Sequence, residues 1–306
     1  MKRDVKFKIM YEKEFYKKYI LFDGVIFVGI SQDAKQFLSS NDSMDKFIWS
    51  FNQFDWVNRP EIFSKVKIVF EQSTRDVSIY NSGNAELIYT PLGFQSDRKN
   101  KKETDPEFDI VFNATLDRSR RATAKYHRRD VLIKLLDSGL RVLNYNGRAN
   151  RKVENELIKP LNSYRNFKVI PRFGEPSHYS HGRYALNLPF HELGSKESIN
   201  ADWGMTRDDL ENVNWLIHWD TFRCLGAKAN IITFDCKETR ALGFNSDNCH
   251  FFRSDTTALD EMCREIIEIV KNGQIKTISD EVWHANTYQT RWNFIIDKIC
   301  KMIGLL

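Results

Sequence analysis

The chain has 306 residues, 42% hydrophobic and 28% charged, with a formal net charge of +5. That length suits two domains of ordinary size, and the apolar share supports packed cores rather than a disordered chain. The mild basicity permits a polyanionic partner without requiring one. The five cysteines (Cys224, Cys236, Cys249, Cys263, Cys300) are odd in number and never spaced as C-x-x-C. This argues against a disulfide framework or a zinc site and fits a reduced, cytoplasmic protein. No apolar run approaches the roughly 18 residues of a membrane span. The opening MKRDVKFKIMYEKEF lacks the apolar segment of a signal peptide. Amphipathic contact with a membrane surface stays open.

Residues 1–20 are basic and aromatic and read as one helix or an edge segment. GVIFVG at 24–29 is a short apolar strand, and the polar stretch 31–45 a helix and a loop. KFIWSF at 46–51 is a second strand, followed by a loop holding Asp55, Trp56, Arg59 and Pro60 that runs into a short helix. KVKIVF at 65–70 is a third strand, 72–81 a helix closed by Ser82-Gly83-Asn84, and 86–90 a fourth strand closed by Pro91-Leu92-Gly93-Phe94. Strands alternating with helices predict a parallel α/β sheet. SDRKNKKETDP at 96–106 is polar, charged and proline-ended, the best linker in the chain. It places a boundary between a domain at 1–105 and a second at 106–306.

The same rhythm restarts beyond the linker. FDIVFN at 108–113 is a strand, 123–138 a helix stopped by Gly139, 140–145 a strand, Asn146-Gly147 a turn and 151–161 a helix. Strands follow at 167–170 and 184–188. In 214–225, Trp215, Leu216, Trp219, Phe222 and Leu225 fall on one helical face, with Gly226 as the stop and Lys228 just past it. The β-branched run 229–234 reads as a buried parallel strand. A short strand at 250–252, a helix at 257–271 and a terminal helix or helix pair at 278–305 complete the chain. Asp220 lies among the aromatics of the 214–225 helix. It is either solvated on the far face or placed to accept hydrogen bonds from a ligand's hydroxyls. Two doubly wound domains facing one another would leave a ligand-binding cleft at the carboxyl ends of their strands.

The order of these features resembles the GT-B fold of nucleotide-sugar glycosyltransferases, in particular the CgeB-like family and the phage DNA β-glucosyltransferases. A first α/β domain ends in YTPLGF. A strand then leads to an arginine-rich loop and helix, the step LDSGLRVLNYNG, the strand YALNL, a carboxylate-bearing helix with GAKANIIT, and an aromatic C-terminal helix with ANTYQTRW. The resemblance implies an acceptor-side first domain, a donor-binding second domain, and a C-terminal helix crossing back to the first. With only some 20 residues before GVIFVG, the first domain is expected to be abbreviated.

Position by position, the resemblance implies that the loop 115–129, TLDRSRRATAKYHRR, grips the donor's phosphates. Thr115, Arg118, Arg120, Arg121 and His127 stand there, and forked cationic donors suit a diphosphate; a solvated basic face is the competing reading. Tyr145, Asn146 and Gly147 match a turn flanking the nucleobase, the glycine leaving room for a ring. Arg172, in IPRF, matches a second base-contacting edge. Asp220 stands where the family usually carries a ribose-holding Glu, beside Thr221. The family's Arg three residues earlier is Ile217 here, with His218 or the loop arginines as replacements. The catalytic base is expected at Asp55, with Asp23 and Asp33 next in line, because an inverting transfer needs a carboxylate to take the acceptor hydroxyl's proton. His178, His181 and His191, with Glu175 or Glu192, form a metal-like constellation, but GT-B transfer usually runs without a bound metal. No metal or cofactor is therefore expected. The expected partners are a nucleoside diphosphate sugar such as a UDP-sugar and, as acceptor, a modified base in phage DNA, a bacterial glycan or a small molecule. The alternative is an inactive GT-B-fold protein that binds nucleic acid or acts as a scaffold.

Overall fold

A computed structural model describes residues 24–28, 45–49, 65–71, 85–91, 93–95, 106–116, 120–121, 128–188, 191–192, 219–235, 237–252 and 259–304. The chain divides into two compact units, Met1–Leu92 with Gln289–Leu306, and Gly93–Tyr288. The linker expected at 96–105 lies outside the described residues.

In the first unit, strands β1 (Gly24–Val28), β2 (Asp45–Trp49), β3 (Ile68–Glu71) and β4 (Glu86–Tyr89) lie side by side in chain order, every pair parallel. Successive residues of a strand face opposite sides of the sheet. Phe47 with Ile48, and Val69 with Phe70, are all buried, so both faces of the middle strands are covered, as in a parallel α/β sheet. Trp49 donates its indole N–H to the Thr90 carbonyl at 3.4 Å, and its ring lies 6.2 Å from that of Trp292.

The second unit runs β5 (Phe108–Asn113), β6 (Arg120–Arg121), α1 (Arg128–Asp137), β7 (Val142–Tyr145), α2 (Lys152–Ile158), β8 (Phe167–Ile170), β9 (Gly182–Leu186), β10 (His191–Glu192), α3 (Trp219–Gly226), β11 (Ile231–Phe234), α4 (Lys237–Ala241), β12 (His250–Phe252), α5 (Leu259–Asn272) and α6 (Asp280–Ala285). Helix α7 (Tyr288–Met302) begins at its last residue and continues in the first unit. Its buried positions, Ile295, Ile299 and Cys300, share one face. The main sheet has the order β8-β7-β5-β9-β11-β12, all parallel. Counted from β5, this is the Rossmann order 3-2-1-4-5-6. Val131, Leu132 and Leu135 of α1 and Met262 and Ile266 of α5 pack with the sheet residues Ile110, Phe112, Leu186, Ile232 and Phe234 in one core.

Three helix ends close with the same pair of backbone bonds, in which the residue after the left-handed position reaches back five residues. At α1 and α4 that position is a glycine, Gly139 (φ 86°) and Gly243 (φ 90°). At α3 it is Lys228 (φ 49°), two residues past Gly226, where the helix ends as expected. A Cβ on Gly226 would press within 3.1 Å of the Phe94 ring. The glycine thus serves packing, and the lysine carries the strained turn. Lys228 is held there by an ion pair with Asp280 and by the Trp283 ring 5.4 Å from its ammonium. The terminal segment is a helix pair broken at Asn286-Thr287. Among the described residues no helix is long and apolar enough to cross a membrane. Cys224, Cys249, Cys263 and Cys300 are free and buried.

Candidate functional site

In a Rossmann-ordered sheet the chain leaves the two central strands in opposite directions, which opens a crevice beyond their carboxyl ends. Here those strands are β5 and β9, and both are followed at once by polar residues. Asn113 ends β5, and Asn187 comes directly after β9. Each reaches the first turn of α3. Asn113 donates from Nδ2 to Oδ1 of Asp220 at 2.9 Å and to the Tyr179 hydroxyl at 3.1 Å, while its Oδ1 accepts from Gly174 N–H at 3.0 Å. The flip of this amide is fixed, because a backbone N–H can only donate and a carboxylate can only accept. Asn187 donates to the hydroxyls of Thr221 (2.7 Å) and Thr233 (3.3 Å).

Asp220 is only 7% exposed, so it is not the solvated surface carboxylate that its sequence context left open. Its Oδ1 also accepts from the Arg223 guanidinium at 3.1 Å, one turn on. Burial pushes the Tyr179 phenol well above its usual range, with Cys224 and Asp220 adding to the shift. The Cys224 thiol is raised in the same way, first by burial and then by Asp220. Both therefore stay neutral beside the Asp220–Arg223 ion pair.

Beyond β5, Leu116 N–H and the Asn146 amide both donate to Oε1 of Glu154, a buried carboxylate on α2. Asn146 Oδ1 accepts from Arg148 N–H at 3.0 Å. The Asn146 side chain is therefore committed to the turn, and its backbone N–H donates to the Ile170 carbonyl at 2.9 Å. Arg128, at the start of α1, is buried and donates to the carbonyls of Leu188 (2.7 Å) and Thr115 (3.4 Å), tying the segment after β5 to the one after β9. The Thr115 hydroxyl is buried beside it and has no hydrogen-bond partner among the described residues.

The ends of β7 and β8 form a more open patch. Tyr145 stacks on His178 with ring centroids 4.7 Å apart and planes 8° from parallel. Burial raises the Tyr145 phenol, and Arg172 beside it pulls part of the shift back. Glu175 N–H donates to Nδ1 of His178 at 2.8 Å. Arg172 Nη2 lies 3.1 Å from Nε2 of the same ring. A ring does lie over Gly147, as the turn glycine suggested, but it is that of Phe173. A Cβ on residue 147 would come within 2.4 Å of it. Phe173 is 48% exposed, with the Arg223 guanidinium 5.9 Å from its centroid.

The structure thus gathers Thr115, Tyr145, Asn146, Gly147, Arg172, Asp220 and Thr221 at the carboxyl ends of one sheet. Arg120 and Arg121, expected in an open loop, form β6 and pair antiparallel with His191–Glu192. Asp55, Asp23, Asp33, Arg118, His127 and His218 lie outside the described residues. Asn113, Asn187, Glu154 and Tyr179 were not singled out from sequence. The available signal was that FDIVFN and YALNL both end their apolar runs at an asparagine. His178 and His181 have ring centroids 6.3 Å apart. Among the described residues no three His, Cys, Asp or Glu side chains gather as a metal site.

No protein-family profile matches the sequence, and no curated protein matches it. Solved structures do match. A sucrose-phosphate synthase from Thermosynechococcus elongatus superposes with a TM-score of 0.67 at 8% identity, over 96% of this chain and 77% of the other. HepE from Anabaena, solved with UDP and glucose, gives 0.64 at 10% identity, over 96% and 81%. The fold is GT-B, Rossmann-like. The pneumococcal O-GlcNAc transferase GtfA, solved with UDP and GlcNAc, gives 0.57 at 14% identity; this chain is matched over 97% of its length and spans 61% of that one.

Proposed function

We propose that this GT-B protein is a glycosyltransferase that moves a sugar from a nucleoside diphosphate donor, a UDP-sugar, to an acceptor hydroxyl. The observation that carries the reading is the switch point of the Rossmann-ordered sheet. There a nearly buried carboxylate, Asp220, is held by Asn113 of β5 and by Arg223 of its own helix, and Tyr145 at the end of β7 stacks on His178 of the turn after β8. A nucleoside has the matching chemistry: a diol that donates to a carboxylate and a flat base with acceptor oxygens. The structural neighbours HepE and GtfA were solved with UDP and a sugar, which supports the choice of nucleotide.

In this reading Asp220 and Thr221 hold the ribose, and Tyr145, Gly147 and Arg172 border the base. Thr115, Arg118, Arg120, Arg121 and His127 face the phosphates, with His218 in reserve. The acceptor oxygen bonds to the anomeric carbon as the bond from that carbon to the diphosphate breaks, and Asp55 takes the acceptor's proton. We assign 1–105 to the acceptor and 106–306 to the donor, and place the protein in the cytoplasm. The acceptor is a modified base in phage DNA or a bacterial glycan, the first in keeping with the CgeB-like and phage β-glucosyltransferase resemblance.

A thermal-shift series with UDP-, GDP-, ADP- and dTDP-sugars tests the donor. A ligand at 100 times its dissociation constant adds about 2.7 kcal/mol to stability. Stabilisation by UDP-sugars alone is the expected result, and no shift with any of the four defeats the reading. Duplex DNA binding that weakens steeply with rising salt selects DNA as acceptor, and no binding near about 50 mM salt selects the glycan.

A further inference from the structure

We propose that Asn113 is a positioning residue of the donor site, orienting the Asp220 carboxylate and the Gly174 backbone as one unit. This rests on the donor reading of Asp220. Two separate segments meet at the one side chain: α3 through Asp220, and the loop from β8 to β9 through both Gly174 N–H and the Tyr179 hydroxyl of its 3-10 turn Pro176–His181. The approach is close. A Cβ on residue 174 would lie 3.1 Å from the Asn113 amide, so the backbone is drawn against it.

The chemistry asks for an asparagine. One edge must accept from a backbone N–H, and the other must donate to a carboxylate. An aspartate offers two accepting edges when ionised, and a leucine offers neither. Asn113 therefore has a task that packing alone does not explain. It holds Asp220 by Oδ1 from the strand side while Arg223 holds the same oxygen from the helix side. Asn187 is the useful contrast. It fastens the same turn of α3 to the sheet through Thr221 and Thr233, yet none of its hydrogen bonds goes to Asp220 or Gly174.

Replacing Asn113 by aspartate turns this geometry into a pH response with a definite sign. The charged and titratable groups around the new carboxyl are Asp220 and Arg223 on α3, the Tyr179 phenol on the turn, the buried Cys224 thiol, and on β7 its register partner Tyr145 with His178 stacked on it. The two phenols and the thiol stay neutral across the working range. Two carboxylates at hydrogen-bond distance do not both ionise readily, so one is protonated at low pH. Protonated, the introduced group donates to Asp220 and accepts from Gly174 N–H, as the amide does. Ionised, it repels Asp220. The folded-state pKa of the introduced carboxyl lies above its unfolded value. Its contribution to stability is therefore full below the unfolded pKa and is lost as pH rises through the folded one.

The experiment is calorimetric titration of the full chain with UDP at pH 5.5 and pH 8, alongside ligand-free melting, for wild type, Asn113→Ala, Asn113→Asp and Asn187→Ala. The expected results are as follows. Asn113→Ala loses about tenfold to a hundredfold in UDP affinity at both pH values. Asn113→Asp binds close to wild type at pH 5.5 and at least about tenfold more weakly at pH 8, and its melting temperature relative to wild type falls over the same interval. Asn187→Ala melts lower but shows the wild-type ratio of affinities between the two pH values. Folded Asn113 variants with wild-type affinity at both pH values would overturn the proposal, as would an Asn187→Ala protein with the pH profile of Asn113→Asp. If wild type gives no heat with UDP, the donor reading falls and the positioning role with it. A pH-dependent melting temperature in Asn113→Asp then marks the contact as structural only.

Discussion

The two sides of the crevice in the second unit are built differently. On one side Asn113, Asn187, Glu154 and Asp220 are buried, and their polar atoms are spent on backbone groups and on one another. On the other, Tyr145 and His178 stack at the base of a patch whose Arg172 and Phe173 are exposed. A buried polar network costs free energy whenever one member lacks a partner, so it admits one arrangement. An exposed arginine and phenylalanine carry no such penalty and can adapt to what arrives. The buried side fixes where a ligand's charge-seeking atoms must go, and the open side supplies contact area. A mutation on the first should cost stability and affinity together, and one on the second affinity alone.

The comparison is tested most strongly at Asp220. Asp220→Ala removes the acceptor shared by Asn113 and Arg223. UDP affinity should drop by about ten- to a hundredfold, at 1.4 kcal/mol per tenfold, and the orphaned Asn113 amide should cost about 1–3 kcal/mol of stability. Calorimetric titration and denaturant unfolding read the two losses. Lost affinity at unchanged stability would move Asp220 to the adaptable side. The next largest effect lies at Glu154, where Glu154→Ala leaves Leu116 N–H and the Asn146 amide without their acceptor. A loss of about 2–4 kcal/mol in denaturant unfolding is expected, and a neutral result would mean that solvent or a neighbour replaces the carboxylate. The smallest effect belongs to the open patch. His178→Ala should shift stability by less than about 1 kcal/mol, the scale of an aromatic pair, and weaken UDP binding only severalfold. Calorimetric titration and denaturant unfolding read both, and a loss of stability as large as that of Glu154→Ala would move His178 to the buried side.

Much of the fold could be read in advance, because burial on both faces leaves unbroken apolar runs such as FDIVFN and NIITF, and those runs became β5 and β11. Asp220 could be singled out because a carboxylate in an aromatic helix is chemically odd at short range. Its partner could not. Asn113 lies 107 residues away, and an asparagine at a strand end looks the same whether it starts a turn or holds a carboxylate. Glu154 sat unnoticed in KVENELI for a similar reason: a helical glutamate gives no local sign of being buried. At α3 the helix ends at Gly226 as its sequence suggests, but a tertiary contact with Phe94 engages the glycine and the left-handed position falls to Lys228. At Gly147 the sequence suggests room for a ligand's ring, and the ring over it is the protein's own Phe173.

The second unit begins and ends at one spot. Phe94 N–H donates to the Asn286 carbonyl at 3.2 Å, and Tyr288 N–H donates to the Phe94 carbonyl at 2.9 Å. Between those points lies a whole sheet with its helices, while the first unit is split in sequence and takes back the chain from Gln289. During synthesis this sets an order of events. Strands β1 to β4 leave the ribosome first, but the helix that buries Ile295 and Ile299 comes out last, after the second unit has all its strands. Domains fold as units when their parts are present, so the later-made unit is complete first, and the earlier one waits for the far end of the chain. A chain ending at Tyr288 should carry a folded second unit beside a first unit still open to protease.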